Sequence, residues 1–235
     1  MWDVDHTLIE NAGVSKETYA AAFELLTGRP AEHRARTDGR TDPEIMRDLL
    51  ERHDVQVTPA HLARFPEVLT CALAARRDRL RQRGHALPGA REAIAALGQM
   101  PGVIQSVLTG NVQPNAFTKV EVFNLHGGLD FEVGGYGSDD LVRAHLVEVA
   151  RNRARAKYQV MLDASSTVLI GDTIRDIQAA RRGGAVAIGV ASGPNTVAEL
   201  LAEGADVALA DLADTAAVVK AVTDVQAQIS AHLKA

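Results

Sequence analysis

Short apolar runs that each end in a polar turn, separated by helix-forming sequence, limit most strongly how this chain of 235 residues can fold. Three such runs, residues 1–2, 103–108 and 167–170, are followed directly by polar side chains. Two further apolar runs, residues 186–190 and 206–209, come nearer the C-terminus. Short strands that alternate with helices predict βαβ units and a parallel sheet with helices on both faces. We therefore expect an α/β fold.

The segment between the first two runs has a different pattern. Tyr19, Phe23 and Leu26 repeat at helical spacing, and Thr41 followed by Glu44 is typical of a capping box at a helix start. Arginines between residues 76 and 83 predict a solvated helix face with its own ion pairs. We assign residues 1–9 and 88–235 to the sheet domain and residues 10–87 to an inserted, all-helical domain.

Composition excludes several classes of function. A net charge of −5 and a pI near 5.9 argue against a dedicated nucleic-acid binder. The single cysteine, Cys71, permits neither an intramolecular disulfide nor a cysteine metal cluster. The sequence shows neither an apolar stretch of membrane-spanning length nor a secretory signal. We expect a cytoplasmic protein with no nucleic-acid or membrane partner, and the sequence does not define its oligomeric state.

Two pairs of acids follow two of the apolar runs. Asp3 and Asp5 are two residues apart at the end of the first run, and Asp172 and Asp176 follow residues 167–170. Either pair alone is compatible with a solvated turn or with acids at a helix N-terminus. Because parallel strands bring their carboxyl ends to one edge of the sheet, the two pairs should meet there. Clustered carboxylates repel each other unless a cation is present, and Mg²⁺ prefers oxygen ligands.

The third polar turn, Thr109-Gly110-Asn111, follows residues 103–108. A hydroxyl beside free backbone N–H groups near a helix start can bind an anion, although an ordinary turn explains the same residues equally well. A phosphoryl group placed among carboxylates also needs a positive charge. Lys119 follows this turn, and Arg143 follows a possible short strand at residues 131–133.

Together, these segments resemble the four motifs of the haloacid dehalogenase superfamily, in the same order and over essentially the whole chain. The matching segments are Asp3-Val4-Asp5-His6-Thr7-Leu8, Val107-Leu108-Thr109-Gly110-Asn111, Lys119, and Gly171-Asp172-Thr173-Ile174-Arg175-Asp176. The helical insertion resembles the cap of the phosphoglycolate-phosphatase-like and β-phosphoglucomutase-like branch. This resemblance implies a Rossmann-like core with a helical cap, and a Mg²⁺-dependent phosphatase that acts on a small phosphorylated metabolite.

The resemblance also implies roles for the acidic residues. Asp3 would attack phosphorus, form an aspartyl-phosphate and ligate Mg²⁺. Asp5 would protonate the leaving oxygen and then deprotonate the attacking water, while its backbone carbonyl binds the metal. Asp172 would be a metal ligand, with Asp176 bound beside it directly or through water. Such a nucleophile divides one difficult step into two easier ones.

The phosphoryl oxygens would lie on Thr109, supported by Gly110 and Asn111. We favour Lys119 as the cation of the third motif, with Arg143 as its rival. Arg40, before the predicted capped helix, is a candidate contact for an anionic or polar substrate, and a solvated arginine at a helix start is an equal alternative.

The sequence departs from the family pattern at three places. His6 occupies a position where the family commonly has glycine, and the family's lysine-proline pair is absent. Only two residues precede Asp3, whereas a central strand usually has about five or six residues. We expect from this that the true start lies upstream or that the chain has been shortened.

Three alternatives remain open. A phosphomutase would share the aspartyl-phosphate but pass it to a second hydroxyl. A 2-haloacid dehalogenase would attack carbon without metal, which would make Asp5 and the pair Asp172 and Asp176 superfluous. A non-catalytic binding module would need no such set of acids. The chain has neither the dinucleotide-binding nor the P-loop glycine pattern.

Overall fold

The structure, a computed structural model, describes the backbone of residues 1–232 and the side chains of residues 1–224. The helices are α1 Val14–Thr27, α2 Asp42–Glu51, α3 Pro59–Ala74, α4 Arg77–Arg83, α5 Ala90–Gly98, α6 Gln113–Val122, α7 His145–Tyr158, α8 Ile174–Gly183, α9 Val197–Ala202 and α10 Thr215–His232. The strands are β1 Ile9–Glu10, β2 His85–Ala86, β3 Leu108–Thr109, β4 Gly135–Tyr136, β5 Val168–Gly171, β6 Val186–Val190 and β7 Val207–Leu209. The described residues contain no helix long and apolar enough to cross a membrane.

A parallel sheet forms the centre of the molecule. Strands β5, β6 and β7 pair in that order, and β3 pairs with β4. Trp2 joins these two groups through parallel bridges to Val107 on one side and Ile170 on the other. The resulting order is β4, β3, the Trp2 segment, β5, β6 and β7. Trp2 is buried, and its indole Nε1 donates to Gln105 Oε1 at 3.0 Å. Backbone hydrogen bonds from Asp3 to Ile170 and from Ile170 to Met1 hold the same segment against β5.

The segment between β1 and β2 is helical. The short strands β1 and β2 pair antiparallel, so the chain leaves and re-enters the sheet region at adjacent points. Helices α1, α2 and α3 bury their own apolar cluster, which includes Phe23, Ile45, Leu49 and Leu69. A second apolar cluster lies against the sheet, around Trp2, and is distinct from the helical one. The chain is thus an α/β protein with a parallel sheet and an inserted helical region, while the domain boundaries at residues 9/10 and 87/88 stay a prediction.

The local features expected of the insertion are present. Thr41 and Glu44 form the capping box at the start of α2. The arginines of α4 make ion pairs, with Arg79 and Arg83 both contacting Glu17 at 2.6 and 2.5 Å. A third arginine of this segment, Arg77, pairs with Glu121 on α6 at 2.5 Å, so ion pairs account for much of the arginine-rich segment.

Two expectations about strands are corrected. Residues 131–133 form a 3₁₀ turn, and the strand follows at β4. The side chain of Asp130 accepts a hydrogen bond from the backbone N–H of Glu132, which caps this turn and explains why a strand does not start there. In the run at residues 103–108, Val107 pairs with Trp2 and Leu108 begins β3, whereas residues 103–106 form no strand.

Candidate active site

The three polar turns meet at one edge of the sheet. Asp3 follows Trp2, Thr109 ends β3 and Asp172 follows β5, and all three residues are buried. They line one pocket together with Asp5 and Arg143. Lys119 does not line this pocket but forms an ion pair with Asp5. The carboxyl ends of neighbouring parallel strands place these residues together, which is where open sheets bind ligands.

Arg143 connects two of the carboxylates. Its Nη2 atom lies 2.6 Å from Asp3 Oδ1 and 2.5 Å from Asp176 Oδ1, and the arginine is buried. The other oxygen of Asp176 accepts hydrogen bonds from the backbone N–H and hydroxyl of Thr173, at 3.0 and 2.6 Å. Asp176 is therefore both a helix cap and a partner of Arg143. Among the described residues, the Asp3 carboxylate accepts its side-chain hydrogen bond on Oδ1, which leaves Oδ2 available.

Lys119 forms an ion pair with a different carboxylate, that of Asp5. Its Nζ atom lies 2.6 Å from Asp5 Oδ2 and 2.7 Å from Asn111 Oδ1. The amide Nδ2 of Asn111 donates to Asp5 Oδ2 at 2.9 Å and to the Thr109 hydroxyl at 2.8 Å. The Asn111 side chain is thus hydrogen-bonded to Asp5, Thr109 and Lys119. Of the two candidate cations, Arg143 pairs with the predicted nucleophile Asp3, and Lys119 pairs with the predicted acid–base residue Asp5.

The ionisation of the aspartates differs with these surroundings. For Asp5, burial is the largest single effect and raises the pKa. Lys119 and Asn111 together outweigh burial and lower the pKa to about 2. Burial also raises the pKa of Asp3, and because the charge and hydrogen bond of Arg143 offset this only partly, the pKa is about 7. The pKa of Asp172 is raised well above its usual range by burial and by the charges of Asp176 and Asp3. Burial and the neighbouring carboxylates thus both disfavour the ionised forms of Asp3 and Asp172, and a bound cation would favour them.

The residues present fit a divalent cation. One carboxylate oxygen from each of Asp3, Asp172 and Asp176 lies within 4.8 Å of the others. Asp172 Oδ1 accepts from the Thr7 hydroxyl at 3.0 Å, whereas Asp172 Oδ2 is buried without a hydrogen-bond partner among the described residues. A buried carboxylate oxygen without a donor is costly, and an oxygen-preferring cation such as Mg²⁺ would satisfy it. The side chain of Asp5 is held by Lys119, so only its backbone carbonyl is a candidate ligand.

Arg40 is placed at the rim of the pocket. Its guanidinium lies 3.5 Å from Asp48, and its backbone carbonyl lies against Gly110. The side chain is thus near the pocket but already has a carboxylate partner. His6 also lines the pocket, with φ of 61° and a 2.9 Å contact from Nδ1 to Glu10. His6, at a position where the family commonly has glycine, therefore adopts the left-handed conformation that is easy for glycine.

Sequence reasoning did not identify several residues that hold the site together. Asn11 donates to Asp5 Oδ1 at 2.8 Å, and Ser15 lies 3.4 Å from the same oxygen. Thr7 fixes Asp172, as described above. Thr7 stands two residues beyond Asp5 in the first motif, so its hydroxyl was visible in the sequence. Asn11 and Ser15 carry no sequence signal, because only the tertiary fold brings them to Asp5.

Comparison with known proteins agrees with this architecture. A family model for haloacid dehalogenase-like hydrolases matches residues 1–181, and the chain belongs to this family. No curated protein sequence matches the chain.

Solved structures share the fold at low sequence identity. A family IA, variant 3 hydrolase of the haloacid dehalogenase class from Entamoeba histolytica has a TM-score of 0.68 at 18% identity, with 96% of this chain and 97% of that chain covered. A predicted phosphoglycolate phosphatase from Haemophilus somnus has a TM-score of 0.63 at 16% identity, with 93% and 96% covered. CbbY from Rhodobacter sphaeroides, solved with phosphate, has a TM-score of 0.63 at 17% identity, with 91% and 93% covered.

Proposed function

We propose that this chain is a Mg²⁺-dependent phosphatase that hydrolyses a small phosphate monoester through an aspartyl-phosphate on Asp3. The observation that carries the proposal is the contact of Arg143 with Asp3 Oδ1 beside Asp172 Oδ2, which has no hydrogen-bond partner in the part of the chain that the structure describes. This arrangement leaves one oxygen of a buried carboxylate available for attack and provides an oxygen site for a cation next to it. Two structures with a similar fold, one described as a predicted phosphoglycolate phosphatase and one solved in complex with phosphate, are consistent with this class of substrate.

Asp3, Asp172 and the Asp5 carbonyl would hold the ion, with Asp176 beside them. When bound, Mg²⁺ would supply positive charge that offsets the phosphoryl charge and the nearby carboxylates. Arg143 contributes a fixed charge from the protein at the same place. Its contact with Asp176 orients the guanidinium, since Asp176 is itself fixed by Thr173.

In the first step, Asp3 Oδ2 would attack phosphorus while the bond from phosphorus to the leaving oxygen breaks. Asp5 would give its proton to that oxygen, and the alcohol would leave. In the second step, water would attack the aspartyl-phosphate, Asp5 would take a proton from the water, and inorganic phosphate would leave Asp3 as a carboxylate. Lys119 keeps Asp5 ionised in the present arrangement, which suits the second step. Asp5 must therefore separate from Lys119 and take up a proton before it can act as the acid.

Thr109 would donate its hydroxyl to a phosphoryl oxygen, with backbone N–H groups of the turn after β3 beside it. Arg40, which lines the same pocket, would contact the leaving group, in competition with its ion pair to Asp48. The cytoplasmic location and the absence of nucleic-acid and membrane partners stay predictions.

The test is release of inorganic phosphate from a panel of phosphate monoesters, with Mg²⁺ and with EDTA. We expect metal-dependent release by the natural sequence and none by Asp3→Asn, because an amide cannot act as the nucleophile. Asp78→Asn is the matched control, since Asp78 is highly exposed and does not line the pocket.

Release that persists in Asp3→Asn, or that does not require metal, would contradict the mechanism. Phosphorus NMR of the products separates the alternatives. Transfer of the phosphoryl group to another hydroxyl would indicate a phosphomutase. Release of halide from a 2-haloacid, with no phosphate from any ester, would indicate a dehalogenase.

A further inference from the structure

The helical insertion makes two hydrogen bonds to the turn after β3. The backbone N–H of Asp42 donates to the carbonyl of Gly110 at 2.7 Å. The backbone N–H of Val112 donates to Asp42 Oδ2, also at 2.7 Å. One residue at the start of α2 therefore holds both ends of the segment Gly110–Val112, which the proposed mechanism uses to bind the phosphoryl group.

Asp42 is itself firmly placed. It is 1% exposed, and its other oxygen, Oδ1, accepts a short hydrogen bond from the hydroxyl of Tyr19 on α1. Both carboxylate oxygens thus face protein donors, although Asp42 borders the pocket. The side chain of Val112 packs in the apolar cluster of the insertion, so the turn is anchored there by side chain as well as by backbone.

The backbones at this contact touch without intervening side chains. A Cβ atom added to Gly110 would lie 2.0 Å from the carbonyl oxygen of Arg40, a distance that real structures essentially never show. The loop before α2 therefore sits directly on the turn. Movement of the insertion away from the sheet would break both Asp42 hydrogen bonds and leave the turn without these supports.

We propose that Asp42 is a positioning residue that completes the phosphoryl-binding turn only when the helical insertion is docked against the sheet. Asp42 does not touch the substrate. It orients the peptide groups of Gly110–Val112, so that the Thr109 hydroxyl and the neighbouring N–H groups face the phosphoryl oxygens. This inference rests on the proposed phosphatase function, and it adds that affinity for phosphate depends on a residue of the insertion.

The experiment measures binding of inorganic phosphate by calorimetry in the presence of Mg²⁺, together with kcat and KM for the best monoester. Asp42→Ala leaves the buried N–H of Val112 without an acceptor, so we expect phosphate affinity and kcat/KM each to fall about tenfold or more. Asp42→Asn keeps an acceptor for Val112 and should restore most of the affinity. Mg²⁺ affinity without phosphate should stay unchanged in both variants, which general destabilisation would not produce.

A pair of tyrosine variants covers the case in which Asp42→Ala does not fold. Tyr19→Phe removes a donor to Asp42, and Tyr158→Phe removes a similar bond to the more exposed Asp130 at 2.6 Å. We expect phosphate binding to weaken several-fold in the first variant only. Unchanged phosphate affinity in Asp42→Ala, or equal effects of the two tyrosine variants, would overturn the inference. Absence of both phosphate binding and hydrolysis by the natural sequence would instead refute the proposed function, and this inference with it.

Discussion

Substitution of Gly137 by alanine should disturb the proposed phosphoryl site from outside it. Gly137 is buried after β4, and its N–H donates to the carbonyl of Asn111 at 3.0 Å. A Cβ atom there would lie 1.9 Å from the carbonyl oxygen of Gly110 and 3.2 Å from the backbone nitrogen of Asp42. Since real Cβ contacts are essentially never below 3.0 Å, the backbone must separate by about 1.1 Å.

The size of the effect follows from this displacement. A shift of about 1 Å in a catalytic geometry lowers activity by about 100-fold, and overpacking of this kind costs about 1–3 kcal/mol of stability. We therefore expect kcat/KM for the best monoester to fall by about 100-fold in Gly137→Ala, measured by initial rates on protein shown to be folded by thermal unfolding. Gly127→Ala is the matched control, because its Cβ would meet no atom within 4 Å. Equal kcat/KM in the two variants would refute the placement of the turn at the reacting phosphoryl group.

Three further predictions address the metal, the acid–base residue and the insertion. Asp172→Asn should abolish the stabilisation by Mg²⁺, which for the natural sequence should reach about 2.7 kcal/mol at 100 times Kd in thermal unfolding; an unchanged Mg²⁺ effect would exclude Asp172 as a ligand. Lys119→Met removes the charge that lowers the pKa of Asp5, so this pKa should rise and the acidic limb of the kcat profile should move to higher pH. An unmoved limb would show that Asp5 is not the base. Leu49→Ala, at a fully buried position, should cost about 2–5 kcal/mol in urea unfolding, and Leu25→Ala, at a position 56% exposed, should cost less than about 0.5 kcal/mol.

The sequence predicts the α/β class and the helical insertion well because both depend on local patterns. Apolar runs, helix caps and strand-end turns depend on residues that are neighbours in the sequence. The predicted capping box of Thr41 and Glu44 is confirmed. Strand length is less predictable, because pairing depends on the partner. The run at residues 103–108 is apolar enough for a strand, yet only its end pairs with β4. At residues 131–133, β-forming residues give way to a turn capped by Asp130.

Which carboxylate each cation contacts depends on residues that are far apart in the sequence. Arg143 meets Asp3 across 140 positions of sequence, and Lys119 meets Asp5 across 114. The sequence favours Lys119 over Arg143 for the third motif, but the spacing does not show which carboxylate each cation contacts. Asp42 shows the same limit, since as a residue near a capping box it gives no sign that it bonds to Val112.

The arrangement of charges indicates which carboxylate would depend most on the proposed metal ion. Arg143 compensates Asp3 and Asp176, while Lys119 compensates Asp5. Asp172 makes no ion pair among the described residues and receives only the neutral hydroxyl of Thr7 on Oδ1. A proton could neutralise Asp172, as its raised pKa indicates, but a proton leaves the neighbouring charges of Asp3 and Asp176 unchanged. A divalent cation would act on all three carboxylates together, because their oxygens lie within 4.8 Å of one another. Among the described residues, the protein therefore supplies a cationic side chain to the proposed nucleophile Asp3 and to the proposed acid–base residue Asp5, but none to Asp172.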